Sequence, residues 1–161
     1  MTPGFFGKEL CIVALESKTE IMTKEMSKNA KQVIDRWDDV FGALTSEPSR
    51  QLIVSLLDAP PDGLVSLPDC AINPNVPVDR DELYLELYHR HLPTLEANGF
   101  IEWNRDRKTV TRGPRFEEVA VVFRALHARA GDIPDSLVIG CRRLERERRS
   151  EQGGTATRPC G

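Results

Sequence analysis

No stretch of this chain reaches the roughly 20 consecutive apolar residues that a membrane-spanning helix needs. The apolar patch near the start, Leu10 to Leu15, has neither a basic segment before it nor a small-residue cleavage site after it, so it does not read as a secretion signal. Both absences point to a cytoplasmic protein without a membrane partner. Cysteine is sparse, and Cys11, Cys70, Cys141 and Cys160 form no CxxC pair. That spacing suits free thiols in a reducing compartment rather than a zinc ribbon or a disulfide scaffold. There is no Gly-rich phosphate loop and no nucleophile set beside a base. The acid cluster Asp79, Asp81 and Glu82 reads as a solvated helix start favoured by the helix dipole. Neither an enzyme nor a cofactor is expected.

What is there is charge, unevenly spread. The formal net charge is −3 over 161 residues, a length sufficient for one domain with a core plus tails. Residues 141–161 carry six Arg against three acids, and residues 1–31 carry five Lys against four acids. The remaining 32–140 hold 11 basic and 18 acidic residues, a net of −7. An acidic centre is not the usual footprint of a nucleic-acid binder.

Periodicity gives the elements. Residues 1–30 read as a poorly defined N-terminal extension. Met22 and Met26 are alternative starts within it, which an intact mass matching initiation at Met1 would exclude. Val33, Trp37, Val40, Phe41 and Leu44 recur at helical spacing over 31–44. Ser46 suits an N-cap, with Pro48 tolerated in the first turn, and Leu52, Ile53, Leu56 and Leu57 form the inner stripe of a helix over 47–58. Pro60-Pro61-Asp62-Gly63 is a turn, and Val65 suits a short strand bridge to a later hairpin. Ser66 suits the cap of a short helix over Leu67 to Ile72, and the prolines of NPNVPV make 73–78 a turn.

The stretch from Asp79 to Thr111 organises the chain. Asp79 caps a long helix that places Leu83, Tyr84, Leu85, Leu87, Tyr88 and Leu92 on an apolar side and Glu82, Glu86, His89 and Arg90 on the other. Pro93 predicts a kink, or a break before a further segment to Asn98. Asn98-Gly99 closes the helix. Phe100, Ile101 and Trp103 read as a strand, 104–108 as a charged turn and 109–111 as the return strand. Helix followed by hairpin is the second half of a winged helix-turn-helix, so the expected fold is mainly α with a small β-hairpin, over 32–130. In that fold the recognition helix would offer Glu82, Glu86, His89 and Arg90 to base edges. Arg105, Arg107, Lys108 and Arg112 would form a phosphate-binding wing. Double-stranded DNA is the expected partner and transcriptional regulation the expected function; the alternative is a winged-helix module for protein association that binds no DNA.

The run LYLELYHRHLPTLEANGFIEW resembles a haloarchaeal winged helix-turn-helix domain family of unknown function. The resemblance runs from Ala43-Leu44 and Glu47, through Tyr84, Tyr88-His89-Arg90-His91-Leu92-Pro93 and Leu95, to Gly99. It covers about 35 to 115, some half of the chain. It implies an archaeal cytoplasmic protein, a fold like that of the arsenical-resistance repressors, and transcriptional regulation. The chain departs from the family in its proline-rich 73–78 turn and in an acidity mild for a haloarchaeon.

Two further patterns have two readings each. His89-x-His91, with Cys70, has metal-ligating residue types, but helix residues two apart point roughly 200° apart. No metal site is expected; His91 reads as buried and hydrogen-bonded, His89 as exposed. Phe116, Val119, Phe123, Leu126 and Ala130 recur at spacings of 3, 4, 3 and 4. This seam would either pack on the domain as core or pair with a second chain as a homodimer contact. From 131 on, the chain reads as an Arg-rich tail: an ambiguous 133–139, then a frayed helix from Cys141 passing into disorder.

Overall fold

The computed structural model describes residues 6–153, with side chains from Leu15 onward. The boundary between two compact units falls between Phe41 and Gly42. Among the described residues no helix is long and apolar enough to cross a membrane.

The first unit consists of helix α1, whose full extent is Phe6–Leu44, 39 residues. The expected 31–44 helix thus continues backwards through the stretch read as an ill-defined extension. The reason is compositional: no Gly or Pro stands between Lys8 and Phe41, and Lys, Glu and Met are good helix formers. Thr19 and Thr23 donate their hydroxyls to the carbonyls of Leu15 and Thr19, each at 2.8 Å.

The second unit opens with α2 (Glu47–Asp58), capped by Ser46, whose side chain accepts from the Ser49 N–H. Leu52, Ile53 and Leu56 are completely buried, while Leu57 is half-buried. Strand β1 (Val65–Ser66) follows. The helix expected over 67–72 is a single 3-10 turn, Asp69–Ala71. Leu67 and Ala71 still point inward from it, but the proline on each side of it, Pro68 and Pro74, leaves no room for a longer regular ladder.

Asp79 caps α3 (Arg80–Glu86) by accepting from the N–H groups of Asp81 and Glu82. The expected kink at Pro93 is replaced by a π-helical turn, Leu87–His91, which runs directly into α4 (Leu92–Ala97). Pro93 has no N–H to offer and would crowd the carbonyl four residues back in a regular helix. The wider turn, in which the Leu92 N–H donates to Leu87 five residues back, carries the helix through. Thr94 Oγ1 donates to the Arg90 carbonyl at 3.0 Å. Leu83, Leu87, Leu92 and Leu95 are buried, but Leu85, placed on the apolar side by the wheel, is 58% exposed.

Gly99 closes α4 at φ +75°, with the Phe100 N–H on Leu95 and the Gly99 N–H on Glu96. Strands β2 (Ile101–Asn104) and β3 (Thr109–Arg112) form the hairpin, pairing Ile101 with Arg112 and Trp103 with Val110. Val65 pairs with Val110 on the other edge of β3, giving the antiparallel order β1-β3-β2. A helix, a strand, a short turn, a longer helix and a hairpin that takes up the first strand make a winged helix-turn-helix. Gly113 follows at a close crossing. A Cβ there would lie 2.8 Å from the Ile101 nitrogen and closer still to the Gly99 carbonyl, so no larger residue fits without moving backbone.

Helix α5 (Phe116–His127) packs against α2 and against the last described helix, 142–153. Phe116, Val119, Phe123 and Ala130 are buried within the chain, and Leu126 is 48% exposed. The heptad-like seam is therefore core. Four of the five residues read as a dimer contact are spent inside their own chain. The stretch read as a tail is helical through Gly153: a 3-10 turn (Ala130–Asp132), α6 (Asp135–Val138) and α7 (Arg142–Gly153). Two arginines tie α7 down. Arg143 pairs with Asp58, and Arg148 pairs with Asp135 and donates to the carbonyls of Ile133 and Ala130. The rest of the expected tail, 154–161, lies outside the described residues.

Candidate nucleic-acid interface

The helical stretch 80–97 presents Glu82, Glu86, His89 and Arg90 to solvent, as the wheel requires. They are not equally free. Glu86 Oε1 lies 3.0 Å from His91 Nε2 and 3.9 Å from Arg90 Nη1. Asp81 and Glu82 remain exposed beside them, so the first turns of this face are acidic.

His91 is buried, 7% exposed, and its other ring nitrogen lies 3.2 Å from Ser46 Oγ. It joins the start of α2 to the helical stretch 80–97 across 45 residues of sequence. Ser, His and Glu in a line have the residue types of a hydrolytic triad. Here, however, Ser46 Oγ serves the start of α2: it accepts the Ser49 N–H at 3.4 Å and lies 2.8 Å from Ser49 Oγ. The arrangement is a strut. His91→Ala removes both hydrogen bonds and leaves Ser46 without this partner, so a loss of about 2 kcal/mol is expected in chemical unfolding. A neutral change would show that the strut contributes nothing. His89 is exposed and edge-on to Tyr88, ring centroids 5.1 Å apart. Among the described residues no three His, Cys, Asp or Glu side chains converge as a metal group. The Cys70 thiol is pushed up to about 12 by burial, which disfavours the thiolate a metal would need.

The wing is the turn between β2 and β3. Asn104 Oδ1 accepts the Arg107 N–H at 2.9 Å, and Lys108 takes a positive φ of 51°. Its three cations differ in their surroundings. The Arg105 guanidinium lies over the Trp103 ring at 4.7 Å and 3.8 Å from Glu96. The Lys108 ammonium lies over the Tyr84 ring of α3, also at 4.7 Å. The Arg107 side chain is exposed at the tip, with no hydrogen bond or ion pair to it among the described residues. Behind them Tyr88 meets Trp103 edge-on at 4.9 Å. The hairpin is thus tied to the helical stretch 80–97 by an aromatic layer that the sequence pattern suggests only as core.

Arg112 is different. It is not part of the exposed wing. Its Nε and Nη2 donate to the Leu56 carbonyl at 3.1 and 2.7 Å, and Nη2 also donates to Ala59 at 2.9 Å. The guanidinium lies 5.0 Å over the Phe116 ring. A planar, charged fork satisfies carbonyls that the end of α2 leaves without helical donors. The expected phosphate ligand is a C-terminal cap. No signal in the sequence separates this arginine from Arg107, because its acceptors lie more than 50 residues earlier.

No curated protein and no solved structure matches the chain. Residues 41–111, from the approach to α2 through α3 and α4 to β3, are similar to a domain of unknown function (DUF7344).

Proposed function

We propose that the chain is a DNA-binding transcriptional regulator of the winged helix-turn-helix type. In this reading Arg105, Arg107 and Lys108 hold phosphates, and Arg90 and His89 face the groove. The observation that carries it is the concentration of three exposed cations on one short turn whose base is tied through Tyr84 to the recognition helix. Such cations set affinity and register, while the helix face supplies preference between sequences. A second reading, a protein-association module that binds no DNA, is favoured by the exposed Asp81, Glu82 and Glu86 on the same helix, since carboxylates there repel phosphate.

The test is a salt-titrated shift assay on the duplex upstream of the protein's own coding region and on an unrelated duplex of equal length. Arg107→Ser is expected to leave stability within about 0.5 kcal/mol and to flatten the slope of log K against log salt by about 0.9 on both duplexes. Changing Arg105, Arg107 and Lys108 together costs about 1–2 kcal/mol, because two of them also stack on aromatic rings. It should flatten the slope by about 0.9 for each phosphate no longer neutralised. Arg90→Ser should instead change the ratio between the two duplexes. An unchanged affinity and slope in the triple variant would leave the association module as the better reading.

A further inference from the structure

From Leu15 to Asp38 every side chain of α1 is exposed. A lone helix in water is marginal even with an Ala-rich sequence, and helices in proteins owe their stability to an amphipathic face packed on something. Such a face exists here. Leu15, Met22, Met26, Val33, Trp37 and Phe41 lie on one side of the wheel and are 50–70% exposed, with Thr19 and Ala30 filling the turns between. Leu15, Met26 and Trp37 recur at intervals of 11, and so do Met22 and Val33. Eleven residues make just over three helical turns, so the stripe runs nearly along the axis instead of winding off it. It extends about 39 Å from Leu15 to Phe41 at about 1.5 Å per residue. It ends in a Trp37–Phe41 stack with ring centroids 5.6 Å apart.

We propose that residues 15–41 of α1 form a parallel, in-register, two-stranded coiled coil with a second copy of this chain. Two observations name that occupant. The first is area. Half-exposed side chains of this size leave on the order of 100 Å² each. The six side chains therefore offer about 600 Å² per chain, at the lower end of what a specific interface contributes per partner.

The second is charge. One flank of the stripe carries Lys18, Glu25 and Arg36; the other carries Glu16, Glu20, Lys31 and Asp38. Lys24, Lys28 and Asp35 lie on the far side of the wheel. In a parallel pair, each flank meets the opposite flank of the second helix. Lys18 then lies beside Glu16 and Glu20 of the second copy, and Glu25 beside its Lys31. An antiparallel pair centred on the stripe would bring each flank against its own kind, with Glu20 beside Asp38. The sign pattern selects the parallel arrangement. This surface is separate from the wing, and the inference stands whether or not the protein binds DNA.

Sedimentation of the full chain at micromolar concentration tests it. The wild type is expected to be a dimer. Met22→Glu with Met26→Glu should give a monomer with reduced far-ultraviolet helicity, while the thermal transition of the winged domain is retained. Glu25→Lys should raise the dimer dissociation constant about tenfold, and adding Lys31→Glu should restore it. Within one helix, Glu25→Lys sets a second ammonium beside Lys28 and Lys31→Glu sets a second carboxylate beside Asp35, like-charge pairs that weaken the helix. Lys31→Glu also replaces the Lys28 and Lys31 repulsion by attraction within the helix, so Lys31→Glu alone is the control: pairing between chains requires that it weaken the dimer by itself and that the double variant recover. A monomeric wild type, or a dimer that persists in the Met22→Glu/Met26→Glu variant, would overturn the proposal. Loss of the dimer without recovery in the charge swap would overturn the parallel arrangement.

Discussion

Phe123→Asp is expected to unfold the winged domain. Phe123 is 6% exposed on the inner face of α5, with its ring centroid 5.8 Å from that of His127. Removing a buried Phe side chain costs about 3–5 kcal/mol through lost burial and the remaining cavity. A carboxylate in the same place adds the penalty of an unpaired buried charge. The sum is comparable with the whole stability of an ordinary domain, about 5–15 kcal/mol. Read as a dimer seam, the same substitution would give a well-folded monomer. Loss of the cooperative thermal transition in Phe123→Asp supports the intramolecular packing. Leu126→Asp, at a position 48% exposed, should stay within about 0.5 kcal/mol and leave sedimentation unchanged. A folded Phe123→Asp monomer would return α5 to the role of an interface.

Arg112→Ala is expected to cost about 3 kcal/mol, the worth of losing charged hydrogen bonds while leaving part-buried acceptors unmet. The acceptors are the Leu56 and Ala59 carbonyls at the end of α2. The change therefore loosens the joint between α2 and the hairpin. Arg112→Lys should recover a minor part of the loss, because an ammonium supplies charge but not a planar fork. The informative measurement is the salt dependence of DNA binding at a temperature where the variant is fully folded. A cap leaves the slope unchanged, whereas a phosphate ligand would flatten it by about 0.9. Unchanged stability together with a flattened slope would make Arg112 a member of the wing. The contrast with Arg107→Ser thus separates two arginines that stand five residues apart and do different work.

Several elements are legible from the sequence because their causes are local. Ser46 and Asp79 cap helices through bonds to N–H groups two or three residues on, and Gly99 supplies the positive φ that ends α4. The alternation of Ile101 and Trp103, returned by Val110, makes the hairpin, and Val65 completes the sheet. Mainly helical architecture with a small antiparallel sheet follows from these, and so does the exposure of Glu82, Glu86, His89 and Arg90. Pro93 announces a disturbance at a definite place, but the form it takes, a π turn instead of a kink, depends on Leu83, Leu87, Leu92 and Leu95 all staying inside. The wheel fails at Leu85, because a single angle cannot represent a helix whose turn widens partway along.

The sequence by itself determined α2, the capped start at Asp79, the Gly99 stop and the hairpin, since these rest on bonds and contacts within a few residues; it missed the length of α1, the helices after 131 and the 3-10 form of 69–71. Only the tertiary structure decided how each charged or apolar side chain is spent. Arg112 reaches carbonyls 56 and 53 residues away, and His91 meets Ser46 across 45. The seam of Phe116, Val119, Phe123 and Ala130 is buried, whereas the stripe on α1 is exposed among the described residues. Both stripes have helical spacing, and no local rule distinguishes them. Which element comes to lie against such a face is settled by tertiary packing and not by the spacing itself.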